Sequence, residues 1–342
     1  MKKIVLFLCI CLLAGMVCGC SEDAPPAEDT GSDGKIVLKV GTCAPESSTF
    51  VSNTQLFGEK LSELSGGTME IDIAAGGALG NIPQHFSQLN EGTLDIFVQG
   101  LDAPSAVTGG EDFNILNVPF LFDDTDHFHA FVESDAFDSM MESVKENNAF
   151  SFLGLIGDRP ARSLATNKHA VRTPDDLKDL LIRVPESPIP MAVWQAWGAS
   201  TTTSAANAIF EGLQTGQFDG QENGIETMVI DGFMAVKDYY MAFDHTQQGI
   251  AAFISDATVD KLTDEQYGWI VESIAYALEE TSDILWNEEV PSYYETMEQE
   301  GVEIVYDIDI DAFRAIVDEL IPTFEGEYFR AGLYDEIRAL AA

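Results

Sequence analysis

Arg183 is the residue in this chain whose type and setting best suit binding chemistry. It lies in a short apolar segment, Leu-Ile-Arg-Val-Pro at residues 181–185, which is typical of a buried strand. A guanidinium is a planar group of five N–H donors that matches both oxygens of a carboxylate. The chain has only 17 lysines and arginines against 58 acidic residues, so few cations are available for such a task. We expect Arg183 to bind the carboxylate of a small organic acid, and the protein to capture solutes rather than convert them.

The sequence carries no pattern that indicates a catalytic, metal or cofactor site. Gly-x-Ser-x-Gly, a phosphate-binding loop and a paired Cys/His motif are all missing from it. His127 and His129 are two residues apart, which puts them on different faces of a helix. Asp307, Asp309 and Asp311 alternate as in a weak calcium loop, but no glycine or closing glutamate follows at the required spacing. We therefore expect neither an enzyme nor a bound metal or cofactor.

The N-terminus has the features of an export signal. A short basic stretch precedes an apolar run at residues 4–16, which is too short to span a bilayer as a stable helix. The Cys-Gly-Cys sequence that ends at Cys20 resembles a bacterial lipoprotein cleavage site, with an ordinary signal peptide as the alternative. We expect a signal peptide at residues 1–19, lipid attachment at Cys20 and a polar, disordered tether at residues 20–34. The mature protein would lie outside the cytoplasm, in the periplasm or at the outer face of the cell membrane.

Charge and cysteine content exclude other kinds of partner and bond. The formal net charge is −41, so the phosphate backbone of a nucleic acid would be repelled. Salt screens this field over about 10 Å, so arginines inside a cleft can still attract an anion. Once the signal is removed and Cys20 is acylated, Cys43 is the cysteine that remains, which leaves no pair for an internal disulfide.

The spacing of apolar residues predicts strands that alternate with helices, which is typical of an α/β fold. The predicted strands are at residues 35–42, 68–74, 94–98, 152–156, 162–166, 182–184, 218–220, 241–245, 248–254 and 301–306. The predicted helices are at residues 50–64, 83–91, 127–147, 191–197, 205–215, 229–236, 264–299 and 309–340. Pro291 is expected to kink or break the longest of these helices.

The chain has no change in composition that would mark a linker between domains. This favours two lobes that share several crossover segments, an arrangement that suits a clam-shell closing on a ligand. We expect a first lobe at residues 35–157 with part of 247–300, and a second lobe at residues 158–246 with part of the C-terminal 301–342.

Several short sequence blocks occur in a characteristic order. They are Leu-Gly at residues 79–80, Gly-Thr-Leu-Asp at 92–95, Pro-Phe-Leu-Phe at 119–122, Arg-Ser-Leu-Ala-Thr-Asn at 162–167, Thr-Pro-Asp-Asp-Leu at 173–177, Ile-Arg-Val-Pro at 182–185, Gly-Ala-Ser at 198–200, Leu-Gln-Thr-Gly at 213–216 and Asp-Gly-Gln-Glu-Asn at 219–223. Together they resemble the DctP-type solute-binding proteins of TRAP transporters, over residues 36–340. The resemblance implies a receptor outside the cytoplasm, with two α/β lobes like a periplasmic binding protein and a long helix between the lobes. Such a receptor delivers its substrate to a membrane permease that is driven by an ion gradient.

The resemblance also implies which residues bind the ligand. In the family, the arginine of the Ile-Arg-Val-Pro block pairs with the ligand carboxylate, and this is Arg183. A second arginine of the cleft matches Arg162, although Arg162 could instead pair with an acid such as Asp158. Arg159 competes with Arg162 for the same role. The asparagine that ends the last block matches Asn223, which either hydrogen-bonds the ligand or caps a turn.

Four other residues are given less specific roles. Gln99 and Trp197 are candidates for lining the pocket, with packing in the core as the alternative for Trp197. Gln221 and Glu222 are expected to act in the hinge or to support the residues that touch the ligand.

This chain also departs from the family pattern. Thr-Thr-Thr-Ser at residues 201–204 replaces the usual Pro-Thr-Pro-Met, and other departures fall at Cys43, Gly100, Ala206, Ala208 and Gly224. These changes keep the arginine for the carboxylate and make sialic acid an unexpected ligand. A monocarboxylate, dicarboxylate, keto acid, amino acid or sugar acid all fit.

Two other classes of protein stay open at this point. A solute-sensing lipoprotein would bind the same ligand but signal to a membrane partner. A secreted hydrolase would need a nucleophile and a base, and the sequence does not contain a recognisable pair.

Overall fold

The computed structural model describes residues 34–185, 187–204 and 208–341. The expected signal peptide at 1–19, the lipid-bearing Cys20 and all of the expected tether except Gly34 lie outside the described residues.

Nine strands form one mixed sheet within the described residues, in the order β2-β1-β3-β8-β4-β7-β5-β6, with β9 paired to β8. The strands are β1 (Ile36–Gly41), β2 (Met69–Ala74), β3 (Ile96–Gly100), β4 (Phe150–Thr166), β5 (Leu181–Val184), β6 (Ser200–Thr203), β7 (Gly220–Gly224), β8 (Tyr239–Ser255) and β9 (Glu303–Val305). β1 pairs in parallel with β2 and β3, and β5 pairs in parallel with β6 and β7.

Two long strands, β4 and β8, run through both halves of the sheet. Each has 17 residues, and they pair with each other in antiparallel orientation. We call β1, β2, β3 and the adjoining parts of β4 and β8 the first half, and β5, β6, β7, β9 and the remaining parts the second half. The pairing of β4 with β8 shifts register between Arg159 and Arg162. Pro160 lies within this shift, where a residue that cannot donate a ladder hydrogen bond is tolerated.

Helices cover both faces of the sheet. They are α1 (Thr49–Leu64), α2 (Ile82–Glu91), α3 (Thr125–Val132), α4 (Asp135–Lys145), α5 (Pro188–Ala196), α6 (Ile209–Thr215), α7 (Ile225–Ile230), α8 (Asp256–Val259), α9 (Asp264–Ile284), α10 (Val290–Gln299), α11 (Ile310–Phe324) and α12 (Leu333–Arg338). The predicted α/β architecture with crossover strands is confirmed. The expected boundary between the lobes, at residues 157 and 158, falls inside β4.

The expected long helix is also present. α9 continues through a π-helical turn, Leu285–Glu289, into α10 without a break in the chain of helical residues. Pro291 follows the π turn inside this continuous helix, so its missing N–H and its ring act on the carbonyl four residues earlier, at Asn287 of the π turn. The helix is therefore irregular in the turn that precedes the proline, and it does not break there. α9 packs on β4 and α1, whereas α10 packs on α7 and β9, so this helix spans both halves of the sheet.

Several sequence-based predictions of element boundaries were wrong, among them the separate strands at 152–156 and 162–166, which are one continuous strand, β4. The predicted helix at 127–147 is two helices, because the Ser134 side chain accepts a hydrogen bond from the backbone of Phe137 and starts α4 as a new helix. The predicted helix at 309–340 ends at Phe324 and restarts as α12. The two extended segments at 241–245 and 248–254 are one continuous strand, β8.

The core contains three clusters of buried apolar side chains. The largest runs along one face of both halves and includes Phe86, Phe97, Phe253, Trp194 and Trp197. Within the residues that the structure describes, no helix combines the length and apolar character needed to cross a membrane.

Asp158 joins three elements near the point where β4 crosses between the halves. Its carboxylate accepts hydrogen bonds from His129 Nε2 of α3 at 2.6 Å and from Trp286 Nε1 of the π turn at 3.3 Å. The hydrogen bond to Asp158 raises the pKa of His129 above its ordinary value. Burial alone would raise the pKa of Asp158, but the hydrogen bond and the charge of His129 lower it overall.

These shifts predict how stability depends on pH. A histidine with a raised pKa in the folded state stabilises the fold fully below its unfolded pKa, and this contribution is lost as the pH rises through the folded value. The loss of stability caused by His129→Gln should therefore be larger at about pH 5.5 than at about pH 8.5. Because His129 is partly exposed, we expect a difference of about 1 kcal/mol or less. Urea unfolding of both proteins at the two pH values measures it, and equal losses would contradict the assignment.

Candidate functional site

The candidate site lies where strands of the second half end. β5, β6 and β7 are parallel, so their C-terminal ends meet at one edge. Arg183 is next to the end of β5, with Thr202 of β6 and Gln221 of β7 as its neighbours in register. The irregular part of β4 reaches the same edge, since Arg162 pairs with Gly224 at the end of β7.

Arg183 is buried at this edge, with 7% of its surface exposed. Its Nε and Nη2 atoms donate to the backbone carbonyl of Ser204, at 3.2 and 2.6 Å. The apolar residues on either side, Ile182 and Val184, are fully buried and fix the strand in the core. The position expected from the sequence, at the end of a buried strand, is therefore confirmed. Its role as the carboxylate-binding residue stays a prediction.

Arg162 forms a buried ion pair with Glu222 of β7. Its Nε and Nη2 donate to the two carboxylate oxygens at 2.5 and 2.7 Å, and Nη2 also donates to the Glu222 carbonyl at 2.8 Å. His245 Nε2 of β8 lies 3.4 Å from the same carboxylate. The fork of the Arg162 guanidinium is thus occupied by a glutamate. Of the two partners left open for Arg162, the structure favours an acid, although this acid is Glu222 rather than Asp158.

The charges around Glu222 decide its protonation. Burial alone would raise the pKa of this carboxyl, but the Arg162 guanidinium and His245 outweigh burial and lower the pKa to about 2. Glu222 is therefore ionised across the physiological range. A group with a lowered pKa stabilises the fold above its unfolded pKa, and this contribution is lost only as the pH falls toward about 2.

Arg159, the competitor of Arg162, also has a glutamate partner. Its Nε and Nη2 donate to Oε1 of Glu226 at 3.0 and 2.6 Å. Its Nη1 donates to Oε1 of Gln248 at 2.6 Å, and Arg162 Nη1 reaches the same oxygen at 3.4 Å. The guanidinium also lies over the ring of Phe50, 5.2 Å from the ring centre. These contacts connect both arginines into one polar network at the crossover.

Asn223 joins this network from β7. Its Oδ1 accepts from Arg162 Nη1 at 3.3 Å and from the backbone of Gly224 at 3.1 Å. The second contact is a local turn interaction, as one of the two sequence-based readings expected. The first contact places Asn223 against the arginine network, where a ligand group could reach its amide.

Trp197 lies in the core rather than at the pocket. It is 1% exposed, its indole donates to the Phe313 carbonyl at 3.0 Å, and it packs against Phe120 and Phe243. This corrects the candidate lining role and favours the core alternative. Its neighbour Trp194 instead borders a small recess next to Arg162, which Glu222 and His245 also line.

The candidates from the first half are less connected. Gln99 is half-buried on β3, and its Oε1 is buried with no hydrogen-bond partner among the described residues. The Cys43 sulfur lies 3.6 Å from the Gly80 carbonyl and 3.7 Å from His85 Nδ1. Burial raises the pKa of this thiol to about 11, so it stays protonated and unreactive at neutral pH.

Within residues 34–185, 187–204 and 208–341, no group of three or more His, Cys, Asp or Glu side chains is arranged to hold a metal ion. Three of the histidines each contact a different partner. His127 Nε2 lies 2.9 Å from the Ile337 carbonyl, His129 bonds Asp158 and His245 approaches Glu222. Ala206 lies outside the described residues.

Sequence reasoning missed two partners of the site. His245 was part of a predicted strand but had no predicted role, and Glu226 was not singled out. Both belong to pairs that are far apart in the chain, because Arg159 and Glu226 are separated by 67 residues. One signal for these partners was present in the sequence. Two acids, Glu222 and Glu226, lie within and just after the Gly-Gln-Glu-Asn block at residues 220–223.

Comparison with known proteins gives consistent matches along most of the chain. The family described as bacterial extracellular solute-binding protein, family 7, matches residues 40–327. The 2,3-diketo-L-gulonate-binding periplasmic protein of Escherichia coli is 27% identical over 257 residues, which cover 75% of this chain and 77% of that protein.

Solved structures of TRAP periplasmic solute-binding proteins share the fold. The protein of Pseudomonas putida F1 with bound D-glucuronate has a TM-score of 0.78 and 26% identity, and the match covers 90% of this chain and 98% of that one. The protein of Polaromonas sp. JS666 bound to D-erythronate has a TM-score of 0.80 and 20% identity, over 90% of this chain and 100% of that one. These neighbours confirm the two-lobed α/β fold class.

The Arg162–Glu222 pair predicts a non-additive effect of substitution. Arg162→Met should destabilise the protein by about 3–5 kcal/mol, because it leaves a buried carboxylate without its guanidinium. The double variant Arg162→Met with Glu222→Met removes both charges and should recover most of this loss. Urea unfolding of the two single variants and the double variant measures the coupling. A double variant as unstable as the sum of the two single variants would show that the pair is not coupled.

Proposed function

This chain belongs to the bacterial extracellular solute-binding proteins of family 7, and we propose that it captures a sugar acid through the Arg183 guanidinium and passes it to a TRAP-type, ion-coupled permease. Members of this family are substrate-binding receptors rather than enzymes, and they act outside the cytoplasm. The observation that carries the proposal is the position of Arg183, which is buried near the C-terminal end of β5, with the single strand β7 between it and β4.

One contact of Arg183 suits exchange with a ligand. Two of its N–H groups converge on one neutral acceptor, the Ser204 carbonyl. A carboxylate offers two charged oxygens to the same fork, and charge-assisted hydrogen bonds are roughly twice as strong as neutral ones. A carboxylate that reaches Arg183 can therefore compete with the Ser204 carbonyl for the guanidinium.

The other two arginines have a supporting role in this proposal. Arg162 and Arg159 are each held by a buried glutamate, so their forks are committed to Glu222 and Glu226. Their Nη1 groups converge on Gln248, and Arg162 also touches Asn223. We assign to Asn223 a hydrogen bond to the ligand and to Arg162 the orientation of Asn223.

A sugar acid is the class of ligand that the relatives support. The Escherichia coli relative is named for 2,3-diketo-L-gulonate, and the Pseudomonas putida structure holds D-glucuronate. A small polyhydroxy acid offers one carboxylate for Arg183 and several hydroxyls for neutral polar groups such as Asn223 and Gln99. Micromolar binding needs about 8 kcal/mol, and each charge-assisted hydrogen bond contributes about 1.5–3 kcal/mol, so a few such bonds with some apolar burial suffice.

Closure of two lobes around the ligand completes the proposed mechanism. We assign residues 35–157 and 158–246 to the two moving bodies, with the crossover at residues 158–162 and the π turn as the flexible points. A π turn inside a long helix is a common place for bending. Closure would exclude water from the ion pair and so strengthen it.

Delivery requires that the receptor stay near its permease. The proposed lipid on Cys20 and the tether at 20–34 would hold it at the membrane surface. Nothing in the described residues favours the alternative of a sensor that signals to a membrane partner.

Substitution of Arg183 tests the central interaction. Arg183→Lys keeps the charge but not the planar fork, so the affinity for the sugar acid should fall by about tenfold or more, and Arg183→Ala should lose most of it. Calorimetric titration with whichever of D-glucuronate, D-erythronate and 2,3-diketo-L-gulonate the wild type binds measures the loss. Arg172→Lys is the matched control, since Arg172 is a surface residue paired with Asp307. Unchanged affinity in Arg183→Ala would sink the proposal.

Substitution of Cys20 tests the proposed anchor. Cys20→Ser removes the thiol that would carry the lipid, so the protein should move from the membrane fraction to the soluble fraction of the cells. Metabolic labelling with a fatty acid should mark the wild type and not the variant, and Cys43→Ser is the control that should keep both label and location. Label that persists in Cys20→Ser would refute the assignment.

A further inference from the structure

Gln221 is a fully buried residue whose side chain has no hydrogen-bond partner among the residues that the structure describes. It is 0% exposed on β7, and both Oε1 and Nε2 of its amide lack a partner among the described residues. Burying an unpaired amide costs about 1–3 kcal/mol per group, and native proteins rarely leave both atoms unpaired. Glu222, the next residue, has several partners, so the strand as a whole is well ordered at this point.

The position of Gln221 connects it to Arg183. The two residues are partners in register on adjacent parallel strands, β7 and β5. Residues paired in this way project to the same face of the sheet, about 4.8 Å apart. Asn223, two residues further along β7, projects to that face as well. The unpaired amide is therefore a direct neighbour of the residue that binds the carboxylate in the proposed function.

Ser204 contributes a second unpaired group on the other side of Arg183. Its carbonyl accepts both hydrogen bonds from the guanidinium, which brings the residue into contact with Arg183. Its hydroxyl oxygen is buried and has no partner among the described residues. Arg183 is thus flanked by two buried polar side chains, Gln221 and Ser204, that have unused hydrogen-bonding capacity.

The chemistry of the amide indicates what it recognises. Gln221 has one free acceptor, Oε1, and free donors on Nε2. A hydroxyl group donates one hydrogen bond and accepts others, so it can satisfy both atoms, whereas a keto or ether oxygen only accepts and a methylene does neither. The backbones of Gln221 and Arg183 are one strand spacing apart, so a ligand carboxylate held by Arg183 would bring its 2-carbon close to the Gln221 side chain.

We propose that Gln221, assisted by Ser204, binds the 2-hydroxyl group of the ligand and makes this receptor selective for open-chain 2-hydroxy acids. This inference rests on the proposed function, because it uses Arg183 as the residue that fixes the carboxylate. A 2-hydroxy acid satisfies the buried amide, and the 2-deoxy acid leaves it unpaired. Sites built to hydrogen-bond a hydroxyl reject analogues that lack it for this reason.

The test uses two matched pairs of ligands and one apolar substitution. The pairs are D-erythronate with 3,4-dihydroxybutyrate, and D-gluconate with 2-deoxy-D-gluconate. The wild type should bind the 2-hydroxy member of at least one pair roughly tenfold to a hundredfold more tightly than its 2-deoxy partner. In Gln221→Met the two members of a pair should bind with about equal affinity, because the 2-hydroxy acid loses affinity and the 2-deoxy acid does not. Ser204→Ala should reduce the preference less. Calorimetric titration gives the affinities.

The stability of the unliganded protein separates recognition from a structural role. Removing an unpaired buried amide should leave the melting temperature of Gln221→Met unchanged or raise it, whereas removing a structural amide should lower it. Gln195→Met is the matched control. The Gln195 amide donates to Thr201 at the exposed surface of the same half, so this variant should change neither the preference nor the melting temperature.

Each outcome decides between the two claims. A wild type that binds the two members of each pair equally well, or that binds D-glucuronate and none of the four acids, overturns the role of Gln221 and leaves the proposed function standing. A lower melting temperature of unliganded Gln221→Met also overturns it. A wild type that binds none of the four acids, nor D-glucuronate, refutes the sugar-acid assignment, and the 2-hydroxyl selectivity falls with it.

Discussion

Pairing of buried guanidinium groups is the constraint on which the site depends. An arginine cannot lose its proton in a protein, so each one taken out of water needs acceptors for its charge. Arg159 and Arg162 meet this need with Glu226 and Glu222, across strands and helices that are distant in the chain. The fold brings these partners together only if β4, β7 and β8 pair in the observed register, since a shift of one residue would turn every side chain to the opposite face.

The same network explains why the crossover of β4 is irregular. A regular strand alternates between two faces, and the residues from Asp158 to Arg162 must reach partners in several directions. Asp158 contacts α3 and the π turn, whereas Arg159 contacts α7 and Gln248. Register shifts in the pairing with β8 provide these directions. The polar groups are therefore concentrated where the two halves of the sheet are joined, and so is the backbone irregularity.

The sequence predicted the parts of this arrangement that depend on local pattern. Arg183 was expected at a strand end because the residues around it are continuously apolar, and the structure has it there. The single strands β4 and β8 were each expected as two segments, because the polar residues at the crossover interrupt the apolar pattern from which strands are recognised. The partners of Arg159 and Arg162 depend on long-range register, which no local pattern contains. Trp197 illustrates a further limit, since an aromatic residue between core and cleft has the same sequence signature in both places.

The buried pairs also reconcile an acidic chain with the capture of an anion. A net charge of −41 repels an organic acid, but salt screens this repulsion at separations beyond about 10 Å. Inside the site, Glu222 and Glu226 compensate Arg162 and Arg159, and the four groups hold each other in fixed positions. In the proposed site, neutral groups such as Asn223 and Gln221 would face the ligand beside Arg183 without adding charge. Attraction in this site is therefore short-ranged and directional, so its selectivity depends on where hydrogen-bonding atoms lie rather than on the overall field of the protein.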